Sequence, residues 1–232
     1  MGKLRAEITK GEEIRYISHL DYARAIERAI RRAHLPVAYS EGFNPHMKIA
    51  FASALAVGVT SEAEYLDIEM KEAVEPDLLR QRLLTHLPPG IELKQVKYLQ
   101  QQKQRALMAL ADLARYTIAV PLCGSSFAAA QSAIASFNQA VEVRYIRESP
   151  KGKKEVDVKD YLKQDIIAMP DKDLLILHMA IEITPSGSIK PGEVLRALVD
   201  QFDLAVKEAG ALIHRTGLFT TALAARISLF DA

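Results

Sequence analysis

The feature that most constrains this chain is a succession of strand-period and helix-period segments in a fixed order. Leu4, Ala6 and Ile8 alternate with Lys3, Arg5, Glu7 and Thr9, which is the two-residue period of a strand. Ile14 to Ile17 extends or re-enters that sheet. Ser18, with Asp21 three residues on, reads as a helix N-cap, and the helix runs to about His34 before Pro36 stops it. Tyr39 to Pro45 is a loop with Gly42 and an Asn-Pro turn. Met47, Ile49 and Phe51 then alternate with His46, Lys48 and Ala50. In Ala63–Met70, Leu66, Ile68 and Met70 oppose Tyr65, Asp67 and Glu69. A helix over Pro76–Leu87 and a strand over Ile91–Tyr98 complete the order β-α-β-β-α-β.

The second half repeats that order more loosely. Strand Tyr116–Leu122, helix Phe127–Asn138 and strand Val141–Arg147 precede a charged stretch. Strand Leu174–Thr184, helix Pro191–Phe202 and a terminal strand near Leu212–Phe219 follow. The expected class is α+β, with two tandem ferredoxin-like (βαββαβ) halves. A domain over residues 1–99, a connector over 100–114 and a looser second domain over 115–232 are the expected divisions.

Composition narrows function mainly by exclusion. A net charge of +1 predicts no partner by bulk charge, so any nucleic-acid surface must come from local segregation. Arg15, Arg24, Arg28, Arg31, Arg32 and Lys48 outweigh Asp21, Glu27 and Glu41 in the first motif region. Glu62, Glu64, Asp67, Glu69, Glu72, Glu75 and Asp77 outweigh Lys71 further on. Cys123 is the single cysteine, which excludes an intramolecular disulfide or a cysteine-cluster metal site. No apolar run approaches the length of a membrane helix, and the charged start of the chain is unlike a signal peptide. The expected location is the cytoplasm, with no cofactor and no membrane partner.

The segments Ile14-Arg-Tyr-Ile-Ser-His-Leu-Asp, Val37-Ala-Tyr-Ser-Glu-Gly-Phe-Asn-Pro-His-Met-Lys-Ile-Ala-Phe-Ala-Ser and Ser61-Glu-Ala-Glu-Tyr-Leu-Asp-Ile carry a resemblance. Together they look like the radical-SAM-linked protein family, a bacterial group without an assigned activity. The match is specific over residues 1–98 and reappears in Gly152-Lys-Lys-Glu-Val-Asp-Val. Met47 departs from the pattern, where proline is expected after the histidine. The resemblance implies a radical SAM protein as partner. The tandem arrangement also resembles the RAMP proteins that bind CRISPR repeat RNA, in architecture alone.

The same residues, read physically, nominate a surface. On the wheel of the first helix, Ala23, Ile26, Ala29, Ile30 and Ala33 share one side and Arg24, Arg28, Arg31 and Arg32 the other. A guanidinium row can track phosphates, or it can be a solvated face with pairs such as Glu27–Arg31. Arg15 and the loop residues Tyr39, Ser40 and Asn44 join the candidate binding set. His46 and Lys48 are expected on the sheet face away from the helices, with Tyr65 beside them to stack a base. His19 and His46 are the candidate acid–base pair, while His19, Asp21 and His46 lack tight ligand spacing for a metal. Arg144, Arg147, Lys151, Lys153, Lys154, Lys159 and Lys163 decorate a hairpin or loop that is either a basic clamp or a solvated turn. The expected function is an accessory RNA-binding or substrate-presenting protein of a radical SAM enzyme, without catalytic activity of its own. The alternatives are a protein-docking module for that partner and a metal-independent endoribonuclease using His19 or His46.

Overall fold

The computed structural model describes residues 2–100, 105–149, 152–221 and 226–232. It is a mixed α+β protein with mostly antiparallel strands and four α-helices among the described residues. The chain divides into two compact units: Met1–Ala111 with Gly217–Ala232, and Asp112–Thr216. The expected connector 100–114 spans the first junction, and residues 217–232 belong with the first unit. No helix among the described residues is long and apolar enough to cross a membrane.

In the first unit the elements are β1 (Gly2–Lys10), α1 (His19–Arg32), β2 (Ile49–Phe51), β3 (Val59–Met70), α2 (Pro76–Leu84) and β4 (Leu93–Tyr98). The strands lie in the order β4-β1-β3-β2 and pair antiparallel. Register sets Leu4 beside Ile68 and Ala6 beside Leu66, on the face where Tyr22, Ile26, Ala29 and Ile30 of α1 pack. Helix α1 begins as its sequence dictates: Ser18 Oγ accepts from the Asp21 amide at 3.1 Å and donates to the Asp21 carboxylate at 2.7 Å.

The opposite face of this sheet is polar yet buried. Arg5 pairs with Asp67 across β1 and β3 at 2.8 Å, and both are closed off from solvent. Residues near the end of the chain supply the cover. Arg5 donates to the main-chain oxygens of Leu229 at 2.6 Å and Ala232 at 2.9 Å, and the Lys97 ammonium lies 4.7 Å from the Phe230 ring. Tyr65 stands beside Glu7 and Ser228, its hydroxyl 3.0 Å from the Ser228 hydroxyl and donating to Glu7 at 3.3 Å. A short strand β11 (Ile227–Ser228) pairs with the end of β10 (Leu212–Thr220), which runs out of the second unit.

The second unit contains β5 (Leu113–Pro121), α3 (Phe127–Gln139), β6 (Arg144–Ser149), β7 (Gly152–Asp157), β8 (Ile167–Asp171), β9 (Leu174–Glu182), α4 (Pro191–Phe202) and the first part of β10. Its sheet order is β10-β5-β9-β8. The strand expected over Val141–Arg147 is instead β6, paired only with β7 in a separate hairpin sheet. The sheet position is taken by β8, an edge strand whose Pro170 obscured it in the sequence. Phe137 of α3 and Phe202 of α4 meet edge to face, 5.3 Å between centroids, and lock the helices together.

Two outcomes follow from the closed polar face. Asp67→Asn should lower the unfolding free energy by roughly 3 kcal/mol, because one buried charge is left unpaired; a loss below about 1 kcal/mol in urea denaturation would mean that the pair behaves as an exposed one. Burial pushes the Tyr65 phenol from 10.0 up to about 12, with the neighbouring Ser228 hydroxyl opposing the shift and Glu7 adding to it. A raised folded pKa gives stability that is complete below pH 10 and is lost as pH rises through 12. The fall in stability over that window should be shallower in Tyr65→Phe than in the parent; equal slopes would contradict the assignment.

Candidate nucleic-acid interface

The motif segment is built by buried cations that hold its backbone. Lys10, at the end of β1, is almost fully buried and donates through Nζ to the carbonyls of Arg15 at 3.0 Å and Ile17 at 3.2 Å. Burial lowers its pKa from the usual 10.5, while Glu64 opposes that shift. Tyr22 donates to the Thr9 carbonyl at 2.7 Å, and its pKa is raised, mainly by burial and also by Glu64. The turn leading into α1 is thereby fixed from beneath.

Arg15 is buried in this turn. Its guanidinium donates to the Gly58 carbonyl from Nε at 3.3 Å and from a terminal nitrogen at 3.1 Å, and to Glu12 at 2.7 Å. The Gly58 amide returns a bond to the Arg15 carbonyl at 2.8 Å. The residue works as a latch between two loops. Gly58 has φ +83°, a conformation that suits glycine.

The outer face of α1 is different. Arg24, Arg28, Arg31 and Arg32 are all exposed. Arg24 lies 3.6 Å from Asp21, whereas Arg28, Arg31 and Arg32 form no ion pair with any described residue. The Glu27–Arg31 pair that spacing allows is not made. Three guanidinium groups on adjacent turns are thus left with their donors toward solvent.

Beyond α1 the chain forms a small hairpin closed by Tyr39 and Met47. Ser40 ties it twice, donating its amide to the His46 carbonyl at 2.8 Å and accepting the His46 amide at its hydroxyl at 3.0 Å. Gly42 turns the tip with φ +117°, and the Phe43 ring beside it is fully exposed. Asn44 and His46 are also exposed. The Tyr39 ring has the Lys71 ammonium 5.7 Å from its centroid. His19, at the start of α1, is half-buried and meets Phe51 edge-on at 5.1 Å.

Of the residues expected at an open sheet face, Tyr65 is instead buried under the chain's last residues, as described above, while Lys48 is exposed on the Asp67 and Glu69 face and paired with Glu69 at 3.1 Å. The structure brings Tyr39, Ser40 and His46 together in one hairpin, and it separates them from Tyr65. Sequence reasoning missed Phe43, together with the exposed Tyr16, Leu20 and Val57. The signal for Phe43 was there: an aromatic directly after a turn glycine in an otherwise polar loop has no core to join.

The cations of the β6–β7 hairpin are mostly paired. Arg147 makes a two-pronged contact with Glu193 of α4 at 2.8 and 2.7 Å, Arg144 pairs with Glu142 and Glu155, and Lys153 pairs with Glu148. Lys159 donates to the carbonyls of Phe137 and Asn138. Lys151 lies outside the described residues. Among the described residues, no group of three or more His, Cys, Asp or Glu side chains is arranged to hold a metal ion.

Comparison with known proteins adds a family and little else. No curated protein matches the chain. Among solved structures, the encapsulated DyP-type peroxidase from Mycobacterium smegmatis aligns over 93% of this chain and 92% of its own, at 9% identity and a TM-score of 0.22; similarity that low supports no structural or functional transfer. The match that counts covers residues 3–191, from β1 to the first residue of α4, and by it the chain belongs to the family described as an uncharacterized protein conserved in bacteria (DUF2344).

Proposed function

We propose that this chain is an accessory RNA-binding protein, whose phosphate-tracking surface is the outer face of α1 and which works beside a radical SAM enzyme. The observation that carries the reading is the unpaired state of Arg28, Arg31 and Arg32 among the described residues. A face that is merely solvated gains from internal pairs, and here Glu27 is one turn from Arg31 without pairing. Guanidinium groups bind phosphate oxygens in two-pronged fashion, and a row of them along a helix matches a backbone of repeated phosphates. The exposed Phe43 and Tyr39 of the adjoining hairpin offer rings on which single-stranded bases can stack. The radical SAM partner enters through the resemblance of the motif segments.

The same reading takes both units as ferredoxin-like. The first runs β-α-β-β-α-β with strand order β4-β1-β3-β2; the second shows the order β10-β5-β9-β8 once the β6–β7 hairpin is set aside as an insertion. A docking module for the protein partner is the second reading, and the full exposure of Phe43 with Tyr16 and Leu20 favours it.

Binding of small RNA, measured by fluorescence anisotropy at several salt concentrations, separates the two. Affinity should fall with salt, and the Arg28→Ala/Arg31→Ala/Arg32→Ala variant should bind weakly with a salt slope reduced by about 2. Salt-insensitive binding, or a triple variant indistinguishable from the parent, would remove the RNA surface from α1 and leave docking.

A further inference from the structure

The sheet of the second unit carries a concave site on one face. Register sets Thr117, His178 and Ile167 side by side across β5, β9 and β8. The Thr117 hydroxyl lies 3.1 Å from His178 Nδ1, which orients the imidazole and leaves Nε2 for another partner. Arg115, two residues before Thr117 on the same strand, is exposed on that side. Exposed Gln164 and Asp165 border β8. The next residue, Ile166, is held by Asn138, which donates to the Ile166 carbonyl at 3.0 Å and accepts the Ile166 amide at 3.0 Å. Arg115, Thr117, Gln164, Asp165, Ile167 and His178 line a cavity of about 400 Å³, within the range of small-molecule sites.

The lining is chemically mixed, and that selects the ligand. A bare anion would suit Arg115 but would meet the Asp165 carboxylate in the same cavity. A purely apolar ligand would cover Ile167 but leave the polar groups of Gln164, Asp165 and His178 desolvated without new partners, which is costly. A ligand that satisfies the whole set carries an anion at one end, a flat ring, and hydroxyl or amino donors. We infer that the cavity takes a phosphorylated ribonucleoside, an inference that rests on the RNA-handling reading above and deepens it. Arg115 meets the phosphate, His178 and Ile167 lie against the base, and Gln164 and Asp165 take the ribose hydroxyls or base amino groups. A free mononucleotide and one nucleotide of an RNA strand share this chemistry.

The test titrates the full chain with 5′-AMP and 5′-UMP by ligand-observed NMR, with inorganic phosphate as control and a short single-stranded oligoribonucleotide as a separate arm. Saturable mononucleotide binding is expected, weakened about tenfold in Arg115→Ala and in His178→Ala, the size of one charge-assisted contact. Gln164→Ala, at an exposed loop position, should weaken binding less and serves if His178→Ala fails to fold. Tighter binding of the oligonucleotide assigns the site to a strand, and equal binding assigns it to free nucleotides. Absent saturation, affinity unchanged in both Arg115→Ala and Gln164→Ala, or equally tight binding of phosphate alone would overturn the inference. The α1 arginine variant keeps mononucleotide binding if the cavity is a separate site. Failure here with salt-sensitive RNA binding intact therefore sinks the cavity alone, and the reverse result sinks the α1 surface alone.

Discussion

A buried guanidinium decides which surfaces of the first unit are free to bind anything. Arg5 is 0% exposed and faces Asp67 from the neighbouring strand. Two charges removed from water are stable together only when their remaining hydrogen-bonding capacity is filled. The carbonyls of Leu229 and Ala232 fill it. The closing residues of the described chain are therefore part of the first unit's core, and the sheet face that an RNA-binding sheet would present is closed. Binding in this unit falls to the helix side and its loops.

On that side, most polar residues of the motif segment maintain geometry. Lys10 holds the carbonyls of the turn, Arg15 clips that turn to Gly58, Ser18 caps the helix and Ser40 closes the hairpin. Each satisfies backbone groups that a loop cannot pair with a neighbouring strand. What is left exposed above this scaffold is chemically simple: a guanidinium row on α1 and an aromatic at a glycine turn. Exposed guanidinium groups and an exposed aromatic, each carried on backbone held by its own hydrogen bonds, suit the proposed binding of a flexible polyanion, because little of that backbone needs to be ordered on binding.

Much of the fold was legible because periodicity is local. The β1 alternation, the Ser18–Asp21 cap and the division of α1 into an Ile/Ala stripe and an Arg face all appear in the structure. The β3 alternation was also read in the right phase, with Leu66 and Ile68 toward α1 and Tyr65 and Asp67 opposite. What the pattern could not convey was that residues near the chain's end return to cover the second face, since a contact 224 positions apart leaves no periodic trace. Edge strand β8 escaped for a related reason: five residues with a proline carry too little signal. The roles of Arg15 and Lys48 turned on partners, Gly58 and Glu69, that only the folded chain brings near. Candidate site residues were thus legible as types on faces, and their availability was not.

The two units divide the proposed work. The first offers charge along a helix, suited to a strand's phosphates, and the second offers an open, chemically mixed pocket, suited to one nucleotide. The most direct test of the helix surface is ultraviolet crosslinking of bound small RNA to the full chain, with the attachment sites mapped by mass spectrometry. Crosslinks on peptides carrying Arg28 to Arg32 and on Tyr39 or Phe43 of the hairpin are the predicted result. Crosslinks confined to the β6–β7 hairpin of the second unit, or none on the α1 and Tyr39–Met47 peptides, would contradict it.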